Sequence, residues 1–367
     1  MKVVHVNYDG AGWGGASIAA LRIHEREKSN GNESIIVCRT RAEHPDSIEL
    51  PIPAYARMRG LMQKIAMKLA YGHVFRSGLI NTGMASFVNS LKPDKVVLHW
   101  LHIDTIGLEE IPRLNGQLEW WLHDLWPMSG VEPYPKTDWY VRGDLKRENL
   151  VGRASWKRKR EVVRAINDRL TVKGPSRWVC DEARKSVVFC NSRVVCESYP
   201  LSSLYESQKA KESVRRDMGG KFVMLFGAVN GTANPVKGFD RAEAALSFLP
   251  DAIRDDMELR IFGQSGEEKK INGVRATFLG SLGEKELCRE YESADVFLFP
   301  SRYETWGQVK SEALSCGCPV IAFNETACPE GIQHKKNGWI ASDVRDFAAG
   351  IVYFYQAKSN RSKVTAI

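Results

Sequence analysis

Glu304 and Glu312 are the residues of this chain whose type and spacing point most directly to chemistry. They lie in the run Pro300-Ser301-Arg302-Tyr303-Glu304-Thr305-Trp306-Gly307-Gln308-Val309-Lys310-Ser311-Glu312-Ala313-Leu314. An apolar strand ends there in Pro-Ser, Gly307 opens a helix, and Glu312 lies further along it. The backbone N–H groups around Trp306, Gly307 and Gln308 are then first-turn donors without intrahelical acceptors, which suits an anion. Two carboxylates beside an anion would repel it, so they are expected to accept hydrogen bonds from hydroxyl groups, which riboses and sugars carry in number. A solvated helix start accounts for either glutamate singly; the pair in this setting is harder to explain that way.

Three further groups could take part. Lys237 follows the strand Phe222–Phe226 and the turn that begins at Gly227. A lysine there is a mobile point charge able to stabilise a leaving phosphate, or else an ordinary surface lysine. Gly10-Ala11-Gly12-Trp13-Gly14-Gly15 has the spacing that lets amides approach a phosphate at a helix N-terminus, with Gly14 and Gly15 at the helix start. A tight structural turn would read the same. The second strand closes on Cys38-Arg39, and an arginine there suits a 2′-phosphate, so an NADP-dependent oxidoreductase stays open as an alternative. His123 ends the strand Leu118–Leu122, and Asp124 after it could orient the ring or meet an acceptor. A lone histidine in that place is otherwise a satisfied structural one.

The elements that must position these residues follow from alternating short β-branched runs and helix-period segments, the pattern of parallel α/β architecture. Strands are expected at Val3–Asn7, Ser34–Cys38, Lys95–His99, Leu118–Leu122, Leu170–Lys173 and Arg193–Cys196. A second set is expected at Phe222–Phe226, Glu258–Phe262, Ala276–Leu279, Val296–Phe299, Pro319–Ala322 and Gly338–Ile340. The polar stretch from Tyr199 to Asp217 separates the sets. We therefore expect two Rossmann-like domains, 1–198 and 199–343, facing each other across a cleft with their strand ends toward it. A last helix around Val344–Gln356 completes the chain as segment 344–367.

At 367 residues, 43% hydrophobic and 26% charged, the chain has the length and balance of a two-domain globular protein. No apolar run approaches the roughly 18 residues of a membrane span, and the N-terminus alternates like a strand rather than a signal peptide, so a cytoplasmic protein is expected. The eight cysteines form no CxxC pair and read as small hydrophobes. No Asp-x-Asp occurs, and His99, His102 and His123 show no zinc-site spacing, so neither metal nor cofactor is expected.

Glu304 and Glu312, followed by Ala313-Leu314-Ser315-Cys316-Gly317-Cys318-Pro319 and Pro329-Glu330, resemble the signature of glycosyltransferase family 4. The resemblance extends to Gly14-Gly15-Ala16, Val97-Leu98-His99-Trp100, His123-Asp124-Leu125-Trp126-Pro127, Gly174-Pro175-Ser176 and Lys237-Gly238-Phe239-Asp240. It implies the GT-B fold, with an acceptor-binding first domain, a donor-binding second one and a final helix returning to the first. It also implies a retaining hexosyltransferase that uses a nucleoside diphosphate sugar as donor. The acceptor implied is a saccharide, or one linked to polyprenyl, in the synthesis of bacterial surface polysaccharide such as capsule or O-antigen. By resemblance His123, Lys237 and Glu304 are catalytic. Gly14, Gly15, Gly227, Lys237, Trp306, Gly307, Gln308 and Glu312 hold the donor, and Asp124 is on the acceptor side. Members of the family often pair the lysine with a nearby arginine; here Ala228-Val229-Asn230 stands in that region, and Arg302 is a substitute to consider.

Net charge is +8, and Leu50–Pro93 holds no acidic residue. On a helix Arg57–Leu69, Met58, Leu61, Met62, Ile65, Ala66 and Leu69 share a face flanked by Arg57, Lys64 and Lys68, with Arg59 opposite. Such a helix suits an anionic membrane surface, or a core with a solvated basic rim. A second basic run is Lys157-Arg158-Lys159-Arg160. A non-catalytic polysaccharide- or nucleic-acid-binding protein is the remaining alternative. Nucleic acid is not expected as a partner, because its interleaved recognition motifs are missing.

Overall fold

Each β-branched run expected above is a strand, and the strands fall into two sets. The computed structural model describes all residues except 13, 72–76, 102–104, 136–137, 145–148, 206–219 and 366–367, and the side chains of 63, 66–67, 69–71, 139, 142 and 360–365 are also outside the description. The chain divides into Met1–Pro200 and Leu201–Ile367. The break thus falls after Pro200, close to the expected boundary.

The first unit carries β1 Lys2–Val6, β2 Glu33–Cys38, β3 Ser47–Glu49, β4 Lys95–Leu98, β5 Gln117–Trp121, β6 Leu170–Gly174 and β7 Arg193–Cys196, all paired in parallel in the order β3-β2-β1-β4-β5-β6-β7. Its helices are α1 Gly15–Ser29, α2 Ala54–Tyr71, α3 Met84–Ser90, α4 Trp139–Arg142, α5 Leu150–Ile166 and α6 Arg177–Lys185. Asn149 caps α5 by accepting from the Gly152 amide, and Ser176 caps α6 by accepting from the Val179 amide. From β1 the chain builds outward through β2 and β3, then returns to the other side of β1 for β4. The crevice beyond β1 and β4 is therefore the switch point of this sheet.

The second unit repeats the plan. Its strands are β8 Phe222–Gly227, β9 Met257–Phe262, β10 Lys269–Ile271, β11 Val274–Gly280, β12 Val296–Phe299, β13 Val320–Phe323 and β14 Gly338–Ala341, in the order β10-β11-β9-β8-β12-β13-β14. Its helices are α7 Phe239–Ser247, α8 Asp251–Arg254, α9 Glu284–Ser293, α10 Gln308–Ser315 and α11 Val344–Thr365. Every residue of β8 is buried, as a central parallel strand requires. The period of two divides it: Phe222, Met224 and Phe226 join a core with Ala242, Leu246 and Phe347, while Val223 and Leu225 join another with Tyr291, Phe297 and Ala313. The switch point here lies between β8 and β12, which pair directly.

The strand limits agree with expectation to within a residue or two; β3 and the antiparallel edge strand β10 were not anticipated. The final helix packs on the second unit. Phe347, Ile351 and Phe354 are buried in the second unit's core, Tyr355 donates to Asp256 at 3.0 Å, and Lys358 pairs with Asp295 at 2.9 Å. Its apolar stripe recurs at helical spacing and packs, over its described side chains, on the second unit's own sheet.

Candidate active site

In the second unit the two loops that leave β8 and β12 meet. The β8 loop ends in a short 3-10 turn, Pro235–Lys237, capped by Asn234, which accepts from the Val236 amide at 3.0 Å. Gly238 follows with φ +69°, and a Cβ there would lie 2.1 Å from the Pro300 carbonyl oxygen, so only glycine lets the two loops touch. The Arg302 amide closes the contact by donating to the Val236 carbonyl at 2.8 Å.

This docking brings Lys237 Nζ to 2.7 Å from Glu304 Oε1. The same oxygen accepts from Ser301 Oγ at 3.1 Å, and the Glu304 amide donates to Thr326 Oγ1 at 3.1 Å. Glu304 is buried, whereas Lys237 keeps 29% of its side chain exposed, so the pair presents its cationic end outward.

Gly307, at φ +82°, precedes α10, and a Cβ on it would strike the Phe299 ring at 2.5 Å. Gln308 is the first residue of the helix, Trp306 is half-buried before it, and Glu312 is buried within it. Glu312 Oε2 accepts from the Tyr291 hydroxyl at 3.4 Å. Burial first, and the Glu312 charge second, push the Tyr291 hydroxyl well above its ordinary pKa, so it stays a donor. Sequence reasoning passed over Lys310, which is fully buried under the same loop. Its Nζ donates to the Ala327 carbonyl at 2.9 Å and sits 5.2 Å from the centre of the Trp306 ring. Desolvation lowers its pKa to about 8. No local spacing marked it, since Trp306 precedes the helix and only the folded loop brings its ring near Lys310.

Arg302 is tied to the neighbouring turn. Its guanidinium forks onto the two oxygens of Asp240, with one bond of 2.7 Å, and donates to the Pro235 carbonyl at 2.8 Å. It braces the turn that carries Lys237. Gly227 closes β8 at the start of that loop.

In the first unit, Gly14 stands immediately before α1 and Gly15 is its first residue, while Trp13 lies outside the described residues. Arg39, which the oxidoreductase alternative requires, is buried and donates to the carbonyls of Thr105 at 2.9 Å and Leu50 at 2.9 Å. It is a structural cross-link among loops, and no 2′-phosphate site is built on it. His123 is buried at the end of β5; its Nε2 lies 3.0 Å from His99 Nδ1 and its Nδ1 2.6 Å from the Tyr199 hydroxyl. Asp124 accepts instead from the Trp126 amide at 2.9 Å and Trp100 Nε1 at 3.2 Å. The orienting role expected of Asp124 therefore falls to His99 and Tyr199. His102 lies outside the described residues.

One group of metal-ligating types occurs among the described residues: His24, Glu25, His44 and Asp46, with ligand atoms within 4.8 Å of one another. His44 Nδ1 accepts from the Asp46 amide at 3.2 Å, which places the ring proton on Nε2, where it donates to Glu25 at 3.0 Å. In that tautomer His44 has no lone pair for a metal at Nε2, and Lys28 already pairs with Asp46.

Of the basic features, Arg57, Arg59, Lys64 and Lys68 on α2 are exposed. So are Met58 at 62%, Leu61 at 59%, Met62 at 65% and Ile65 at 51%, while Ala56 and Gly60 are buried. The side chains of Ala66 and Leu69 lie outside the description. The apolar stripe therefore faces outward, the reverse of a core helix with a basic rim. The run at 157–160 behaves otherwise: Lys159 is fully buried and donates to the carbonyls of Ser129 at 3.0 Å and Gly130 at 2.7 Å.

Residues 222–357 match the family model described as Glycosyl transferases group 1. The matched residues all lie in the second unit. The chain is 30% identical over 180 residues to spore coat protein SA of Bacillus subtilis, covering 44% of this chain and 46% of that one. It is 32% identical over 147 residues to the O-antigen chain mannosyltransferase B of Escherichia coli, covering 37% and 38%. It thus spans less than half the length of either curated relative. Among solved structures, Anabaena HepE in complex with UDP-glucose superposes with a TM-score of 0.65 at 15% identity, over 98% of this chain and 91% of that one. The fold of the chain is accordingly GT-B, with two Rossmann-like units. No described helix is long and apolar enough to cross a membrane.

Proposed function

We propose that the protein is a retaining glycosyltransferase of hexosyltransferase type that takes a sugar from a nucleoside diphosphate sugar bound to the second unit. The observation that carries this reading is the Lys237–Glu304 pair at the β8/β12 switch point, beside the helix that holds buried Glu312. Lys237 offers its charge to the leaving diphosphate, the first-turn amides of α10 from Gln308 onward add a helix N-terminus, and Glu312 accepts from ribose hydroxyls. Glu304, kept in place by Ser301 and Thr326, addresses the sugar. The diphosphate takes the acceptor proton as the sugar passes through an oxocarbenium-like state, so no protein nucleophile is needed for retention. HepE is solved with UDP-glucose and one relative is an O-antigen mannosyltransferase. These support a donor of that class and an acceptor in surface polysaccharide synthesis, a saccharide or a polyprenyl-linked one met on the inner face of the plasma membrane.

A thermal-shift screen against UDP-, GDP- and other nucleotide sugars tests the donor. A ligand at a hundred times its Kd stabilises by about 2.7 kcal/mol, and no shift with any of them would remove the reading. With a donor in hand, NMR of the product tests retention of the anomeric configuration. Transfer that survives EDTA is expected; loss on chelation, restored by Mg²⁺ or Mn²⁺, would overturn the metal-free mechanism.

A further inference from the structure

Four rings from distant parts of the sequence form one line through the first unit. His5 Nδ1 lies 2.9 Å from His99 Nε2, His99 Nδ1 lies 3.0 Å from His123 Nε2, and His123 Nδ1 lies 2.6 Å from the Tyr199 hydroxyl. The parallel neighbours β1, β4 and β5 bring the three histidines together, and Tyr199 arrives after β7. His5 is fully buried and His99 nearly so; burial, reinforced by the neighbouring histidines and other cations, drives both well below the ordinary pKa. Both rings are therefore neutral, with one proton each.

With one proton on His123 as well, the line can be filled in two ways, inward or outward, and a doubly protonated His123 would fill it in the inward one. If Tyr199 donates to His123, every proton points inward and His5 must carry its proton on Nε2. Among the described residues that buried atom has no partner, so the arrangement strands an N–H donor. If His5 donates from Nδ1, every proton points outward, and what is stranded is a lone pair. Orphaned buried N–H groups are the rarer and costlier of the two. The Tyr199 hydroxyl can accept while directing its own proton elsewhere.

We propose that His5 and His99 are positioning residues that hold His123 as the tautomer donating from Nδ1, so that the unpartnered inner end of the line sets the outer end. The proposal rests on the reading of His123 as a site residue. It is independent of where the nucleotide binds.

The test is ¹⁵N NMR of the imidazoles in the full-length protein, whose eight histidines are few enough to assign. In the unaltered chain His123 is expected to be protonated on Nδ1 and bare on Nε2; the opposite tautomer overturns the proposal. His5→Glu sets an acceptor with no donor against His99 Nε2, so His99 must donate inward and the fraction of His123 protonated on Nε2 should rise at least severalfold. His5→Gln, whose amide can donate in place of Nδ1, should restore the original tautomer and also guards against a folding defect in the first variant. If His123 keeps its tautomer in folded His5→Glu, the line does not set it. A protein that binds no nucleotide sugar would sink the functional reading while leaving these spectra as expected.

Discussion

Lys237 Nζ lies 2.7 Å from Glu304 Oε1 although the two residues stand 67 positions apart. The distance is closed by topology: both residues follow strands that are direct neighbours, and Gly238 against Pro300 removes the last gap. On the proposed reading a diphosphate arriving here would compete with Glu304 for the ammonium, and the ion pair would hold the lysine ready without neutralising it deep in the core.

Lys237→Ala should therefore lower kcat by roughly 10²–10³, the usual effect of removing one group aimed at developing charge. Thermal stability should change by less than about 1 kcal/mol, because the pair is partly exposed. Steady-state kinetics with parallel melts check both, and an unchanged kcat would take Lys237 out of the reaction.

Glu312→Ala should weaken nucleoside diphosphate binding. Each hydrogen bond to a charged acceptor contributes about 1.5–3 kcal/mol, so losing one raises Kd roughly ten- to a hundredfold. Isothermal calorimetry reads this directly. The Tyr291 hydroxyl also loses its acceptor, so the variant's melting point must be measured alongside; Tyr291→Phe should leave the affinity within a few-fold.

Lys310 makes a pH prediction. Burial lowers its pKa from 10.5 to about 8 in the folded chain. Between those values the unfolded chain holds more protons than the folded one, so this residue's contribution to stability improves as pH rises through that window. Below about pH 8 the ammonium is charged in both states and its burial cost is fully present. The wild-type protein should accordingly gain stability relative to Lys310→Met between pH 8 and pH 10, measured by urea unfolding at fixed ionic strength. A constant difference across that range would mean that the buried amine does not titrate there.

Much of this architecture was legible before the fold. Central strands such as Phe222–Gly227 are continuous apolar runs between turns, and the Glu304/Glu312 spacing survives on one loop and helix. The short edge strands Ser47–Glu49 and Lys269–Ile271 escaped because three residues carry too little periodicity. The line from His5 to Tyr199 escaped because it depends on strand order, which no local pattern encodes. The run Lys157–Arg160 reads as uniformly basic, but successive helix residues turn about 100° apart, so one of four can be buried, and Lys159 is. Arg39 looked like a ligand because nothing local reveals the loop carbonyls of Leu50 and Thr105 that surround it.

The exposed face of α2 yields the last prediction. Met58, Leu61, Met62 and Ile65 recur at i, i+3, i+4 and i+7 and are each more than half exposed, while Arg57, Lys64 and Lys68 stand beside them. Large apolar side chains left in water along one stripe call for a covering surface. The basic flanks and the acid-free stretch Leu50–Pro93 suit an anionic lipid layer as that surface. Each lysine or arginine near such a layer contributes about 1 kcal/mol, and the attraction falls off within a Debye length. Sedimentation with vesicles containing phosphatidylglycerol should therefore be strong at low salt and decline steeply as salt is added. Changing Arg57, Lys64 and Lys68 together to Glu should abolish it, and Leu61→Ser with Met62→Ser should weaken it at every salt concentration by removing the part that salt does not screen. Both variants should bind nucleotide as the parent does, since α2 lies in the other unit from Lys237 and Glu312. If the triple-glutamate variant still sediments with the vesicles, α2 is not what holds the protein on the membrane.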